Sequence, residues 1–338
     1  MRAVAFVLLV AVAVAAPGCA TAEDGPDTRP GPAAARPSAT LFLLPVRGNE
    51  LIRLDAASGR TEAVRRPELG LGGDPPFRLV RTGGRLVAWG LVDGRVGAVA
   101  LSDDLNGAAR FLGPASFFVP SGTDGRVWLA RIDPESPETV KDLGTVVEVD
   151  VDGRTTSSAV RPPPGAALVG AVGDKLLFQR GGLELWDPRS ATVLRRLPGP
   201  FPAASHGTVL AWCEAGCPLL HLTDILTGDD VAVPPGDGFA FEETYDGAFS
   251  PDGRRIAVPA RTGDGRVRVA IVDVEARTAS LVPGSELAEY HALAWSHDGW
   301  LYVVAPEGRV LAYGPGADAA VALPVRIDRP IFALVAGG

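Results

Sequence analysis

Residues 248–259 read AFSPDGRRIAVP. Two short apolar runs flank the tetrapeptide Ser250, Pro251, Asp252, Gly253. Proline presets φ for a turn, the Asp carboxylate accepts backbone N–H groups two residues on, and glycine takes the positive φ that closes the turn. The stretch therefore predicts a strand, a tight turn and a second strand antiparallel to the first.

If this pair belongs to a repeat, the turn glycine should recur. Gly84 precedes RLVAWG, Gly125 precedes RVWLAR, Gly173 precedes DKLLFQR, Gly207 precedes TVLAWC, Gly253 precedes RRIAVP and Gly299 precedes WLYVVA. The spacing averages about 40 residues, the length of a four-stranded propeller blade. A second marker keeps step with the first. The next strand of most units ends in Asp, at Asp55, Asp103, Asp150, Asp187, Asp224 and Asp273. Asp opens a hairpin turn well, and Gly59 and Gly228 supply the positive φ that closes it. No amphipathic helix interrupts the pattern.

Six units hold both strands in order, and the seventh is divided. IFALVAGG at the C-terminus reads as an inner strand with nothing after it, and TLFLLPV at Thr40 as a second strand with nothing before it. Joining them completes a ring and removes the sheet edges that an open array would expose. The expected fold is all-β: a seven-bladed β-propeller over residues 39–338, closed by a blade with one C-terminal strand and three N-terminal strands.

AFSPDGRRIAV and LAWSHDGWLYVV resemble the WD40-like repeats of TolB-type propellers. The resemblance covers the blade framework and no catalytic site. It implies binding in the cell envelope.

The N-terminus points to the same compartment. Arg2 is followed by an unbroken apolar run from Ala3 to Ala16, then by AAPGCA with Cys19. The run is shorter than the roughly 20 residues of a membrane-spanning helix and has the length of a signal-peptide core. The segment resembles a bacterial lipoprotein signal, which implies cleavage after residue 18 and acylation of Cys19, with attachment to the cell membrane. An ordinary cleaved signal peptide is the alternative. Residues 19–38 would then be the acylated cysteine and a disordered tether, rich in Pro, Ala and Gly, spanning about 25 Å.

A formal net charge of −8 argues against nucleic-acid binding, which needs a basic stripe to neutralise phosphates. No G-x-S-x-G elbow, P-loop, H-E-x-x-H or dinucleotide fingerprint occurs in the folded part. No cofactor and no metal-ligand set is read from the sequence.

Cys213 and Cys217 bracket a three-residue loop and are expected to form a disulfide in an oxidising compartment. A metal site with His221 is disfavoured, because four residues of strand span about 13 Å. EVDVDG at 148–153 lacks the distal Glu of an EF-hand and reads as strand into turn. His206 and His297 fall in the tight turns. Trp89, Trp128 and Trp212 recur in second strands, as blade packing or, alternatively, as ligand contacts.

The inter-blade loops and the loops between second and third strands should open on one face, acidic around the last three blades. Glu242, Glu243, Tyr245, Glu289, Tyr290 and His291 form the candidate binding face. The opposite face mixes Asp with Arg60, Arg126, Arg154, Arg189, Arg254 and Arg277, and the tether should leave from it toward the membrane. The expected function is a lipid-anchored extracytoplasmic module binding an envelope protein or cell-wall ligand. The alternative is a propeller hydrolase or lyase with a metal in the central channel, for which Asp246, Glu289 and His291 are the inward candidates.

Overall fold

The computed structural model describes residues 36–69, 79–132, 143–243, 246–316 and 319–337. The signal segment, Cys19 and the greater part of the tether lie outside them, as does Tyr245. The described chain is a seven-bladed β-propeller. Blade one pairs Ile331–Ala336 with Thr40–Pro45, Glu50–Asp55 and Thr61–Arg65, counted outward from the axis. Blade two runs Leu79–Thr82, Arg85–Val92, Arg95–Ser102 and Arg110–Pro114. Blade four runs Ala167–Val172, Lys175–Gln179, Leu183–Asp187 and Thr192–Leu197. Blade five runs Phe201–His206, Val209–Cys213, Leu220–Asp224 and Asp230–Val233. Blade seven runs Leu293–Trp295, Leu301–Val304, Arg309–Tyr313 and Val321–Arg326.

Blades three and six depart from this scheme. Blade three has Phe117–Pro120, Arg126–Ile132 and Leu143–Asp150. In place of an outer strand, Val146 and Val149 form single bridges with Val160 and Thr155. In blade six the inner strand is broken. Phe239–Phe241 and Ala248–Phe249 both pair with Arg255–Thr262, and Val267–Asp273 and Thr278–Glu286 follow outward. The inner strand of the opening stretch is thus only two residues long, with its other half upstream.

The split blade closes as the sequence predicts. Leu41 pairs with Ala336 and Leu44 with Ala333, and the Gly337 N–H reaches the Thr40 carbonyl at 2.6 Å. Alternation along each strand sends one set of side chains to each neighbouring blade. Seven apolar clusters result, one in each seam between adjacent blades. Phe42, Phe118, Phe178 and Tyr302 are fully buried anchors in four of these seams. Burying a large apolar side chain contributes about 1.5–3 kcal/mol.

The turns follow the chemistry of the repeat. All six marker glycines have positive φ, from 56° at Gly207 to 80° at Gly299. In the opening stretch the Ser250 hydroxyl donates to Asp252 Oδ1 at 2.6 Å and accepts the Arg255 N–H at 3.0 Å. Ser296 and Asp298 repeat this arrangement in blade seven. At the ends of third strands, Asp55, Asp150, Asp187, Asp224 and Asp273 each accept a backbone N–H of the following turn. Blade two is the exception. Asp104 accepts the Asn106 N–H there, while Asp103 pairs with Arg81 at 2.7 Å.

Candidate functional site

Inner strands converge on the axis, so their inward side chains line a central channel. The channel has two mouths of different make. Toward the tight turns, a cavity of about 520 Å³ is lined by Arg81, Ser205, His206, Ser250 and Trp295 among others. Its cation is already matched, Arg81 being paired with Asp103, and the Arg255 guanidinium lies 4.9 Å from the centre of the Trp295 ring. This end is called the turn face.

The other mouth opens among the inter-blade connections, on the loop face. It holds about 470 Å³, bounded by Leu79, Val80, Phe117, Val169, Tyr290 and Phe332, with Asp246 and His291. The Tyr290 and Phe332 rings touch at 5.9 Å between centroids, inclined by 54°. His291 Nδ1 stands 3.7 Å from Asp246 Oδ2. The imidazole is mostly covered, its side chain 19% exposed, and the carboxylate is 48% exposed. His291 sits at φ 50°, its N–H bonded to the Ala288 carbonyl in the turn that begins blade seven. A side chain other than glycine rarely adopts that conformation, although histidine tolerates it better than most.

The acidic residues read as a binding face are dispersed. Glu242 accepts from Nε and Nη2 of Arg261, with the Nε contact at 2.6 Å. Glu243 accepts the Gly216 N–H and so clasps the loop closed by the Cys213–Cys217 disulfide. Glu289 is exposed in a separate cleft of about 470 Å³ beside the channel, with Glu307, Asp328 and Arg329. Tyr290 lines both this cleft and the channel mouth. Of the inward candidates, Asp246 and His291 come together and Glu289 points elsewhere.

Other motifs resolve into structure. The His221 ring stacks on Trp212 at 4.3 Å, and its Nδ1 bonds Asp230 at 2.8 Å. Asp230 also accepts from Thr223, which accepts the Trp212 N–H at 2.8 Å. Glu148, buried in the segment that mimics a calcium loop, is bonded by Ser121, Thr156 and Arg126. Trp128 and Trp212 are buried in seams, while Trp89 is half-buried and donates to the Ala115 carbonyl. His206 packs its ring against Gly253 of the next blade, and His297 is exposed. Among the described residues no group of three or more His, Cys, Asp and Glu is placed to hold a metal.

Phe117 and Phe332 were not singled out from sequence. Their signal is faint: an aromatic residue near the start of an inner strand, in SFFVP and in IFALV, which Phe201 and Phe239 share without lining this mouth.

No family model matches the chain, and no curated protein sequence matches it. Solved structures do. Apo AztD from Citrobacter koseri superposes with a TM-score of 0.55 at 16% identity, covering 89% of this chain and 99% of its own. A candidate 6-phosphogluconolactonase from Bacteroides uniformis gives 0.56 at 12% identity, covering 89% and 100%. TolB from Acinetobacter baumannii gives 0.50 at 11% identity, covering 88% of this chain and 66% of its own. The chain shares their propeller fold. At such identities the likeness carries the architecture alone.

Proposed function

We propose that this protein is a lipid-anchored extracytoplasmic binding module, whose loop face holds an envelope protein or a cell-wall ligand. The observation that carries this reading is the channel mouth on the loop face, a preformed concave site walled by aromatic and aliphatic side chains with few polar groups, as ligand sites commonly are. The point where the described chain begins supports it. Residues 36–39 lie at the turn face, where the Ser38 hydroxyl bonds Asp298 at 3.3 Å. A tether leaving there biases the loop face away from the membrane. The disulfide suits an oxidising compartment.

Two measurements test the reading. The wild-type chain should partition into detergent with the membrane fraction, and Cys19→Ala should release it. Immobilised protein should retain an envelope component that a Glu289→Lys, Tyr290→Ala variant loses. Equal retention by both forms would remove the loop face from the proposal. The hydrolase or lyase alternative draws on the His291–Asp246 pair, and turnover of ester or lactone substrates that is abolished in His291→Ala would favour it.

A further inference from the structure

We infer that the side cleft at the loop-face end of blade seven docks a segment of a protein partner in which an arginine or lysine is flanked by apolar residues, with Glu289 receiving the cation. This rests on the loop face being the binding surface and gives that surface a partner chemistry.

Three observations converge. The first is shape. The cleft holds about 470 Å³, within the range of preformed ligand pockets. Its walls are the connection into blade seven, the turn Pro306–Gly308 and the connection onward to blade one. The Ala288 N–H bonds the Val304 carbonyl at 3.0 Å and the Ile327 N–H bonds the Gly308 carbonyl at 2.8 Å, so these segments are tied to one another. The second is an apolar lining. Ala288, Pro306 and Pro330 present accessible surface beside Val304, Ile327 and Ile331, which belong to the seam between blades seven and one. The third is an unmatched charge. Of the carboxylates read as a binding face, Glu242 and Glu243 are taken up within the chain. Glu289 is exposed and makes no hydrogen bond or ion pair among the described residues.

Charge balance fixes the sign of the occupant. The cleft sets three carboxylates, Glu289, Glu307 and Asp328, against the guanidinium of Arg329. Arg329 is held by Glu50 at 2.6 Å and by Asp328 at 3.4 Å, and Glu307 is held by Arg326 at 3.1 Å. With Glu50 and Arg326 counted as well, an excess of two carboxylates remains. An anionic segment would have to break the Arg329–Glu50 pair, whereas a cationic one meets Glu289 free. A hydrated metal ion would gain nothing from proline and alanine. A basic side chain uses both features, since its stem lies along apolar surface while its head stays in water. Apolar neighbours on the same chain then cover the rest of the lining, which a small cation would leave bare.

Calorimetric titration of the full-length protein in detergent tests this with three probes: acetyl-leucyl-arginyl-leucinamide, its citrulline counterpart, which is neutral and nearly the same shape, and acetyl-glycyl-arginyl-glycinamide. The arginine peptide should bind about fivefold tighter than the citrulline peptide, the upper scale of an exposed ion pair. Salt at about 0.5 M should remove most of that preference. The glycine analogue should bind about tenfold more weakly, for want of leucine side chains to cover the lining. Glu289→Gln removes a charge that has no partner in the chain, so the variant should keep its melting curve. It should cost the arginine peptide about threefold and leave the citrulline peptide unchanged. Equal affinity for the arginine and citrulline peptides, no saturable binding of the arginine peptide, or indifference to Glu289→Gln would each overturn the inference. Equal binding of the glycine analogue would put a free cation in place of the docked segment and overturn it as well. If the arginine peptide fails while envelope capture is still lost in the Glu289→Lys, Tyr290→Ala variant, the partner chemistry falls and the binding face stands. If capture is also indifferent to those residues, both fall.

Discussion

The two faces of the ring use the same vocabulary to different ends. On the turn face the chain reverses through short, self-satisfied loops. Ser or Thr bonds Asp, Asp accepts a backbone N–H, and glycine closes the turn. On the loop face one connection copies this device, with Thr262, Asp264 and Gly265. Elsewhere that face is irregular. An inner strand is interrupted between Phe241 and Ala248, and a side cleft opens beside the channel.

The largest expected effect compares one crowded glycine with one open glycine. A Cβ on Gly308, in the loop face, would sit 1.7 Å from the Ile327 carbonyl oxygen at φ 72°. A Cβ on Gly84, in a turn at φ 67°, would meet nothing within 4 Å. Gly308→Ala should therefore cost about 3 kcal/mol or more, and Gly84→Ala only about 1 kcal/mol for its backbone conformation. Denaturant titration of both variants checks the gap, and equal losses would break the distinction.

Next comes the disulfide, whose loop anchors Glu243. Replacing Cys213 and Cys217 together by Ser should lower stability by about 2 kcal/mol in the same titration. Ser250→Ala follows. It removes the acceptor of the Arg255 N–H at a buried site, for about 1.5 kcal/mol. Thr262→Ala, in the exposed copy on the loop face, should stay within about 0.5 kcal/mol. Similar losses at the two would show that the copies are energetically alike.

The smallest effect per residue is in acid. Hydrogen bonds from turn backbone and hydroxyl groups hold Asp55, Asp104, Asp124, Asp224 and Asp252 below the usual carboxylate value, all on the turn face. On the loop face Asp264 is lowered by Thr262 and the Arg266 N–H. A carboxyl group depressed on folding contributes stability that is present above its unfolded pKa, near 3.8, and lost as pH falls through the folded value. Melting temperature should thus be level above about pH 4.5 and decline below it. Asp224→Asn with Asp252→Asn should flatten that decline more than Asp264→Asn does.

The same contrast explains what could be read from sequence. Turns and strand ends are local. Gly253, Asp252 and Asp224 announce themselves within a few residues because the groups they satisfy are a few residues away. Even there, adjacent aspartates exchanged roles, and Asp104 caps the turn expected of Asp103. The channel mouth is assembled from blades one, two, three, four, six and seven. No local pattern marks Phe117 and Phe332 as neighbours of His291. Glu242 and Glu243 looked free on the chain because their partners, Arg261 and the Gly216 N–H, arrive through pairing of an interrupted strand and through the disulfide loop. The broken inner strand of blade six hid for the same reason, since its halves are joined by a common partner and not by their own sequence.

The pairing of Leu41 with Ala336 makes the ring a clasp. A chain that must fasten its first strand to its last cannot finish folding until its final strand is present. Up to that moment blade one lacks its axial strand, and the channel wall has a gap where Phe332 and Leu334 belong. Ring completion and closure of the channel wall therefore arrive together, and a chain cut short before Ile331 has neither.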